Sequence, residues 1–192
     1  MIILGEPQGG STNFLFMSLT ETHLSPNILD AEINIQDFNI LRQDRKDRTH
    51  GGVLIYIKKQ FVTNILSSNS NQFCDYLLVE IPELLLIMGV VYRPPNCPKD
   101  KFISQMTNIN DKVNDFQKHK NVNYNFLLMG DYNFPFIKDW NQSNYFTNSH
   151  DDEIVQSVCL SRFIDEPHRM EMVDAPSHGK TPLILHFQTR EN

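Results

Sequence analysis

Short apolar segments separated by turn residues dominate the chain, and this pattern predicts strands more often than helices. Five such segments lie at residues 14–20, 53–58, 76–81, 84–92 and 124–131. The fourth is apolar on both faces, which predicts a central strand covered from both sides. Pro82 and Glu83, just before it, predict a tight hairpin to the preceding strand.

Two other segments have helical spacing. In the first, apolar residues recur every three or four positions, at Phe102, Met106, Ile109, Val113 and Phe116. Asp100 is the predicted N-cap of this helix. A second helix is expected at about residues 152–165, where Ser149 and Asp152 resemble a capping box. Paired strands with interspersed helices indicate an α/β sandwich, with two stacked sheets and helices outside.

The composition is that of one globular domain. The chain has 192 residues, of which 40% are hydrophobic and 21% charged. A net charge of −6 argues against avid nonspecific DNA binding, which requires Lys and Arg to neutralise phosphates. It does not exclude a nuclease, because carboxylates that hold a divalent cation are themselves negative.

The cysteines and the apolar segments indicate the cellular setting. Cys74, Cys97 and Cys159 share no CxxC spacing, so neither a disulfide framework nor a zinc site is expected. The start of the chain lacks the features of a signal peptide. The longest apolar run is far shorter than the roughly 20 residues of a membrane helix. We therefore expect an intracellular protein, nuclear or cytoplasmic, with no membrane partner.

Glu21 lies where a strand ends, in the sequence Glu-Thr-His-Leu at residues 21–24. A carboxylate at a sheet edge is a suitable ligand for Mg²⁺, which usually takes one or two protein carboxylates and completes its shell with water. The alternative is a surface residue that caps a turn, and this interpretation is favoured for Glu21 taken alone.

Tyr92 and Arg93 end the apolar run 84–92 and are followed by Pro94 and Pro95, which stop the strand. A phenol and a guanidinium at a rigid strand end can both donate to a phosphate oxygen. The alternative, again favoured for the pair alone, is a structural tyrosine beside a solvated arginine.

Asp131 and Asn133 follow the last of the five apolar segments, in Gly-Asp-Tyr-Asn-Phe-Pro at residues 130–135. In an extended chain they point to the same side, so that Asp131 could accept a proton from water while the Asn133 amide orients a phosphate. An Asx turn before the proline is an equally supported interpretation.

These motifs occur in one order along the chain, together with Gly51-Gly52, with Arg42-x-Asp44-Arg45 before that pair, and with Asp139-Trp140 near the end of the set. As an ordered set they resemble the apurinic-like endonuclease domain of non-LTR, LINE-type retrotransposons, of the branch related to chicken-repeat elements. This family belongs to the endonuclease/exonuclease/phosphatase superfamily. The resemblance covers the chain from about Phe14 onward.

The resemblance implies a four-layered α/β sandwich, with two stacked mixed β-sheets flanked by helices. It also implies magnesium-dependent phosphodiester hydrolysis, with Mn²⁺ as a possible substitute, that nicks DNA to prime reverse transcription. Glu21 matches the metal-binding glutamate and Tyr92 the phosphate-contacting tyrosine. Asp131 and Asn133 match the pair that activates and orients water. The implied partners are DNA and the reverse transcriptase domain of the parent element.

The chain departs from the family pattern at both ends. Residues 1–13 are expected to be irregular, without the first strand whose asparagine helps to hold the metal, and residues 14–192 to be a partial domain. His186 falls where the family has a site aspartate. Ser177-His178 is a weak substitute for the closing Ser-Asp-His of the family.

The sequence therefore predicts an impaired endonuclease with weakened metal binding. A non-catalytic retrotransposon remnant or partner-binding protein is the alternative. A phospholipid or inositol phosphodiesterase of the same superfamily fits the motifs less closely.

Overall fold

A computed structural model of the chain describes residues 2–8, 11–46, 50–133, 169–174 and 183–188. In chain order the strands are β1 (Ile2–Gln8), β2 (Ser11–Thr20), β3 (Phe38–Gln43), β4 (Val53–Lys58), β5 (Asn64–Ser70), β6 (Asp75–Ile81), β7 (Leu86–Tyr92), β8 (Asn125–Asp131), β9 (Arg169–Asp174) and β10 (Leu183–Gln188). Helix α1 (Lys99–Lys120) lies between β7 and β8. The fold is an α/β sandwich, as the sequence predicts.

The strands form two sheets. The four-stranded sheet has the order β1-β2-β4-β3, and its described pairs are all antiparallel. The six-stranded sheet has the order β5-β6-β7-β8-β10-β9 and includes one parallel pair, β7 with β8. Among the described strands, a parallel pair occurs in the second sheet alone, whereas two mixed sheets were expected. The parallel pair requires a crossover connection, and α1 supplies it.

The two sheets pack face to face through a shared apolar core. It contains buried side chains from both sheets: Phe16, Val53, Ile55, Ile57, Leu77, Val79, Ile81, Met88, Val90, Tyr92, Leu127 and Met129. Strand β7 contributes to this core and also, through Ile87 and Val91, to the one beneath α1. The prediction of a central strand buried on both faces is confirmed.

Helix α1 covers the outer face of the six-stranded sheet. Its predicted apolar stripe is confirmed, since Phe102, Met106, Ile109 and Val113 are buried. The helix begins after Pro98, so the prediction of Asp100 as N-cap is wrong. Asp100 instead lies in the first turn, where its negative charge interacts favourably with the positive end of the helix dipole. The second predicted helix, at 152–165, lies outside the described residues.

The prediction of an irregular segment at residues 1–13 is also wrong. Strand β1 pairs antiparallel with β2, from Ile2 opposite Ser18 to Gln8 opposite Ser11. The register shifts between Leu4 and Gly5, which is where glycine commonly marks an irregularity in a strand. Pairing with β2 satisfies backbone groups along an edge that would otherwise be open. The strand contains no asparagine, as the sequence indicated.

Pro82 begins the short 3-10 turn Pro82–Leu84 between β6 and β7, and Leu85 follows in the left-handed conformation. The predicted hairpin is thus confirmed. Cys74 and Cys97 are buried free thiols, whereas Cys159 lies outside the described residues. In the ranges that the structure describes, no helix has the length and apolar character needed to cross a membrane.

Candidate functional site

The four residues predicted to carry the chemistry lie at one end of the two sheets. Glu21 follows β2 of the four-stranded sheet, whereas Tyr92 and Asp131 end β7 and β8 of the six-stranded sheet. Because β7 and β8 are parallel, Tyr92 and Asp131 are direct partners in the register. We call Glu21, Tyr92, Asp131 and Asn133 the strand-end site.

A hydrogen bond between Tyr92 and Glu21 connects the two sheets at this site. The Tyr92 hydroxyl donates to Oε1 of Glu21 over 2.6 Å, and Tyr92 is only 4% exposed. Burial raises the pKa of Tyr92 above its ordinary value, and the bond to Glu21 and the charges of Glu21 and Asp131 raise it further, against Arg45. The phenol is therefore protonated at neutral pH and acts as a donor.

The backbone at Glu21 has the left-handed conformation, with φ of 52°, and so does His23, with φ of 56°. For residues other than glycine this conformation is uncommon and requires support from the surroundings. The support comes from the turn before β4, since Thr22 N donates to Gly52 O over 3.3 Å and His23 N to Gly51 O over 2.9 Å. The Gly51-Gly52 motif thus helps to place Glu21.

Asp131 and Asn133 form the Asx turn that the sequence left as one of two interpretations. The backbone N–H of Asn133 donates to Oδ1 of Asp131 over 3.0 Å. Asn133 has a positive φ of 49°, so the chain is not extended there. The expectation that an extended chain points both side chains to the same side is therefore wrong. The Asn133 amide instead donates to the carbonyl of Arg93 over 2.7 Å.

Arg93 is buried, so the interpretation of a solvated arginine is wrong. It is 5% exposed, and its Nη1 donates to the carbonyls of Tyr132 and Asn133 over 3.0 and 3.2 Å. Its Nη2 donates to the carbonyl of Cys97 over 3.2 Å. Arg93 therefore fixes the loop that carries Asp131 and Asn133.

A buried ion pair that was not predicted from the sequence lies beside the site, formed by Arg45 and Asp75. Nε of Arg45 lies 2.8 Å from Oδ2 of Asp75, and the two residues are 8% and 0% exposed. The guanidinium lies 5.8 Å from the ring centroid of Tyr92. A signal was present, since Asp75 is a charge at the start of an apolar strand and Arg45 belongs to the Arg-x-Asp-Arg motif.

The C-terminal residues singled out in the sequence are only partly described. Strand β10 pairs with β8 and aligns His186 with Leu127. Leu127 is four residues before Asp131 on β8, so the His186 backbone lies beside the middle of that strand. The backbone register therefore does not bring His186 to the strand-end site. Ser177 and His178 lie outside the described residues.

The donor chemistry of the strand-end site is compatible with Mg²⁺. Two carboxylates, Glu21 and Asp131, are near enough to the Tyr92 hydroxyl to raise its pKa. Carboxylate oxygens are the ligands Mg²⁺ prefers, and one or two of them with water are enough. Among the residues described here, no three His, Cys, Asp or Glu side chains form a group that could hold a metal ion. The described residues thus offer a sparse ligand set.

Comparison with known proteins gives similarity of structure only. No protein-family model matches the sequence, and no curated protein matches it significantly. The human Nocturnin catalytic domain with bound sulfate is similar at 9% identity and a TM-score of 0.50, over 89% of this chain and 68% of that one.

Two further solved structures are similar at lower scores. The endonuclease domain of TRAS1, a telomere-specific non-LTR retrotransposon, has 9% identity and a TM-score of 0.47, over 91% of this chain and 73% of that one. An AP endonuclease from Archaeoglobus fulgidus has 11% identity and a TM-score of 0.45, over 88% and 75%. The two stacked sheets, the helix and the similarity to Nocturnin together show that this chain has an α/β sandwich fold like that of the Nocturnin catalytic domain.

Proposed function

We propose that the strand-end site is a divalent-cation-dependent phosphodiesterase site of the DNA-nicking type, with low turnover. The observation that carries this proposal is the 2.6 Å hydrogen bond from Tyr92 to Glu21 between the ends of two different sheets. Asp131 is next to Tyr92 in the register of the parallel strands. A phenol that donates to one carboxylate, next to a strand that ends in a second, suits a phosphate oxygen together with its cation.

Each residue has a role that follows from its chemistry. Glu21 is the residue that would hold Mg²⁺ or Mn²⁺, which when bound supplies positive charge to a phosphoryl oxygen. Tyr92 stays protonated, and its O–H can donate to a phosphate oxygen once it leaves Glu21. Asp131 is a carboxylate that can accept a proton from an attacking water. Arg93 keeps the Asp131 loop in place through its two bonds to the carbonyls of Tyr132 and Asn133.

Low turnover follows from the engagement of the Tyr92 hydroxyl. Its single O–H donates to Glu21 over 2.6 Å, and this bond must be exchanged before the phenol can donate to a phosphate oxygen. Positioned acid–base groups typically contribute about 10²–10⁴-fold in rate. A site that has to rearrange before one of its groups can act is correspondingly slow.

DNA is the proposed substrate because the ordered motifs resemble those of retrotransposon endonucleases. The proposed partner is the reverse transcriptase domain of a parent element, and the proposed compartment is the nucleus or the cytoplasm. A net charge of −6 indicates that DNA binding depends on the cation rather than on a basic surface.

Nicking of supercoiled plasmid tests the proposal. With Mg²⁺ or Mn²⁺ we expect slow conversion to the nicked form, lost with EDTA and in Asp131→Ala and Glu21→Gln. Nicking that persists in both variants would refute the assignment of the site, and rapid nicking would refute low turnover.

The second candidate function is a non-catalytic, partner-binding protein. The bond that engages the Asn133 amide within the loop favours it. Undetectable nicking by folded protein that still binds the cation at Glu21 would decide for this candidate.

A further inference from the structure

The Arg45–Asp75 pair is connected to Glu21 by two separate routes. The first runs through Tyr92, because the Arg45 guanidinium lies 5.8 Å from the Tyr92 ring centroid and the Tyr92 hydroxyl donates to Glu21. The side chain of Arg45 is mostly buried there. A guanidinium above an aromatic ring is attracted by the ring's negative face and restricts how the ring can move.

The second route runs through the turn before β4. Oδ2 of Asp75 accepts from Gly52 N over 2.9 Å, while Oδ1 accepts from the Ser70 hydroxyl over 2.8 Å. The carbonyls of Gly51 and Gly52 in turn accept hydrogen bonds from the backbone N–H groups of His23 and Thr22, the two residues after Glu21. Asp75 therefore holds the turn on which the left-handed backbone at Glu21 rests.

Gly51 shows how tightly the ion pair fills this space. A Cβ at Gly51 would lie 2.4 Å from Nε of Arg45 and 2.6 Å from Oδ2 of Asp75. Its φ of 100° is also one that side-chain-bearing residues rarely adopt. The glycine, the arginine and the aspartate thus form one packed unit.

We propose that Arg45 and Asp75 are positioning residues, which hold the Tyr92 ring and the Gly51-Gly52 turn so that Tyr92 and Glu21 meet. Their role is to set the geometry of the strand-end site without contacting the substrate. The inference rests on the proposed function only in taking Glu21 as the cation-binding residue. The contacts themselves exist without any cation.

The first experiment is done without metal. In full-length protein with ¹³C-labelled tyrosine, the Cζ resonance of Tyr92 reports the hydrogen bond to Glu21, and Glu21→Gln gives its value when that bond is altered. We expect Arg45→Lys, which keeps the charge but loses the planar face, to shift the resonance toward the Glu21→Gln value. Arg42→Lys is the matched control, because Arg42 pairs with Asp30 and Asp44 instead. Its Tyr92 resonance should equal that of the wild type.

The second experiment measures Mg²⁺ affinity by calorimetry. Substitution of a residue that orients a metal ligand typically weakens metal affinity by about 10–100-fold. We therefore expect Arg45→Lys and the nearly isosteric Asp75→Asn to weaken Mg²⁺ binding about 10-fold. Arg42→Lys should leave it unchanged. If the wild type binds no Mg²⁺, the proposed function fails, but the Cζ experiment still decides the positioning role.

Two outcomes would overturn the positioning role. One is a wild-type Cζ resonance in Arg45→Lys when Glu21→Gln shifts it. The other is measured in the wild-type protein, so it still tests the proposal if Arg45→Lys does not fold. In wild-type protein the amides of Gly52 and His23 should exchange with solvent at least 100-fold more slowly than unprotected amides. Exchange of these amides at unprotected rates would show that the turn is not held.

Discussion

At the scale of single residues, the strand-end site depends on side chains that hold one another. The Tyr92 hydroxyl donates to Glu21. Asn133 donates its backbone N–H to Asp131 and its side-chain amide to the Arg93 carbonyl. The Arg93 guanidinium donates two hydrogen bonds to carbonyls of the same loop. The sequence assigned roles to Glu21, Tyr92, Asp131 and Asn133 through the resemblance of the ordered motifs, each of which lies at the end of an apolar segment. It could not show that Arg93 and the Asn133 amide are engaged internally, because those bonds depend on the tertiary fold.

Replacing Tyr92 with phenylalanine tests the donor at this scale. The change removes only the hydroxyl, and a hydrogen bond to a charged group contributes about 1.5–3 kcal/mol. We expect plasmid nicking to fall by at least about ten-fold, since each 1.4 kcal/mol corresponds to a factor of ten. Nicking is measured as initial rates at saturating Mg²⁺.

Tyr124→Phe is the matched control for that experiment. The Tyr124 hydroxyl also donates to a carboxylate, Glu80, over 2.7 Å, but it does so at the opposite end of the six-stranded sheet. Equal loss of nicking in the two variants would mean that Tyr92 acts only through stability.

At the scale of elements, prediction succeeded where the apolar pattern was strong. Strands β4, β6, β7 and β8 and helix α1 have nearly continuous or regularly spaced apolar residues, and the structure has them within a few residues of the predicted bounds. Strand β5 was missed because Asn64–Ser70 is mostly polar and lies at a sheet edge. Edge strands need not be apolar on either face, so their sequences carry a weak signal.

Contact between β7 and β8 at the site leaves no room for a side chain at Gly130. A Cβ there would lie 2.2 Å from the carbonyl oxygen of Val91. We expect Gly130→Ala to lower the free energy of unfolding by about 1–3 kcal/mol, the usual cost of overpacking. Urea unfolding followed by circular dichroism measures it.

Asn125→Ala serves as the control on the same strand, because that side chain is exposed and the substitution should cost less than about 0.5 kcal/mol. Similar losses in the two variants would contradict the close approach of the strands at Gly130.

At the scale of the whole molecule, the stability of the sandwich should decrease in alkali through Tyr124. The hydrogen bond to Glu80, helped by burial, raises the pKa of Tyr124 to about 12, against about 10 in an unfolded chain. The folded state therefore keeps this proton where the unfolded state loses it. The stabilisation is complete below about pH 10 and is lost as the pH rises toward about 12.

Urea unfolding between pH 9 and pH 11 checks this expectation. The midpoint should fall more steeply with pH in the wild type than in Tyr124→Phe, because the other tyrosines titrate in both proteins. Parallel pH dependences would show that the bond between Tyr124 and Glu80 does not raise the pKa of Tyr124 in solution.

The central claim, that the strand-end site binds a divalent cation at Glu21, is tested most directly by paramagnetic broadening with Mn²⁺ in tyrosine-labelled protein. Tyr92 hydrogen-bonds to Glu21, whereas Tyr124 precedes β8 at the far end of a seven-residue strand, roughly 20 Å away. We predict selective broadening of the Tyr92 resonance at low Mn²⁺ concentration, with Tyr124 unaffected and the effect lost in Glu21→Gln. Equal broadening of both resonances, or broadening of Tyr92 that persists in Glu21→Gln, would contradict the account.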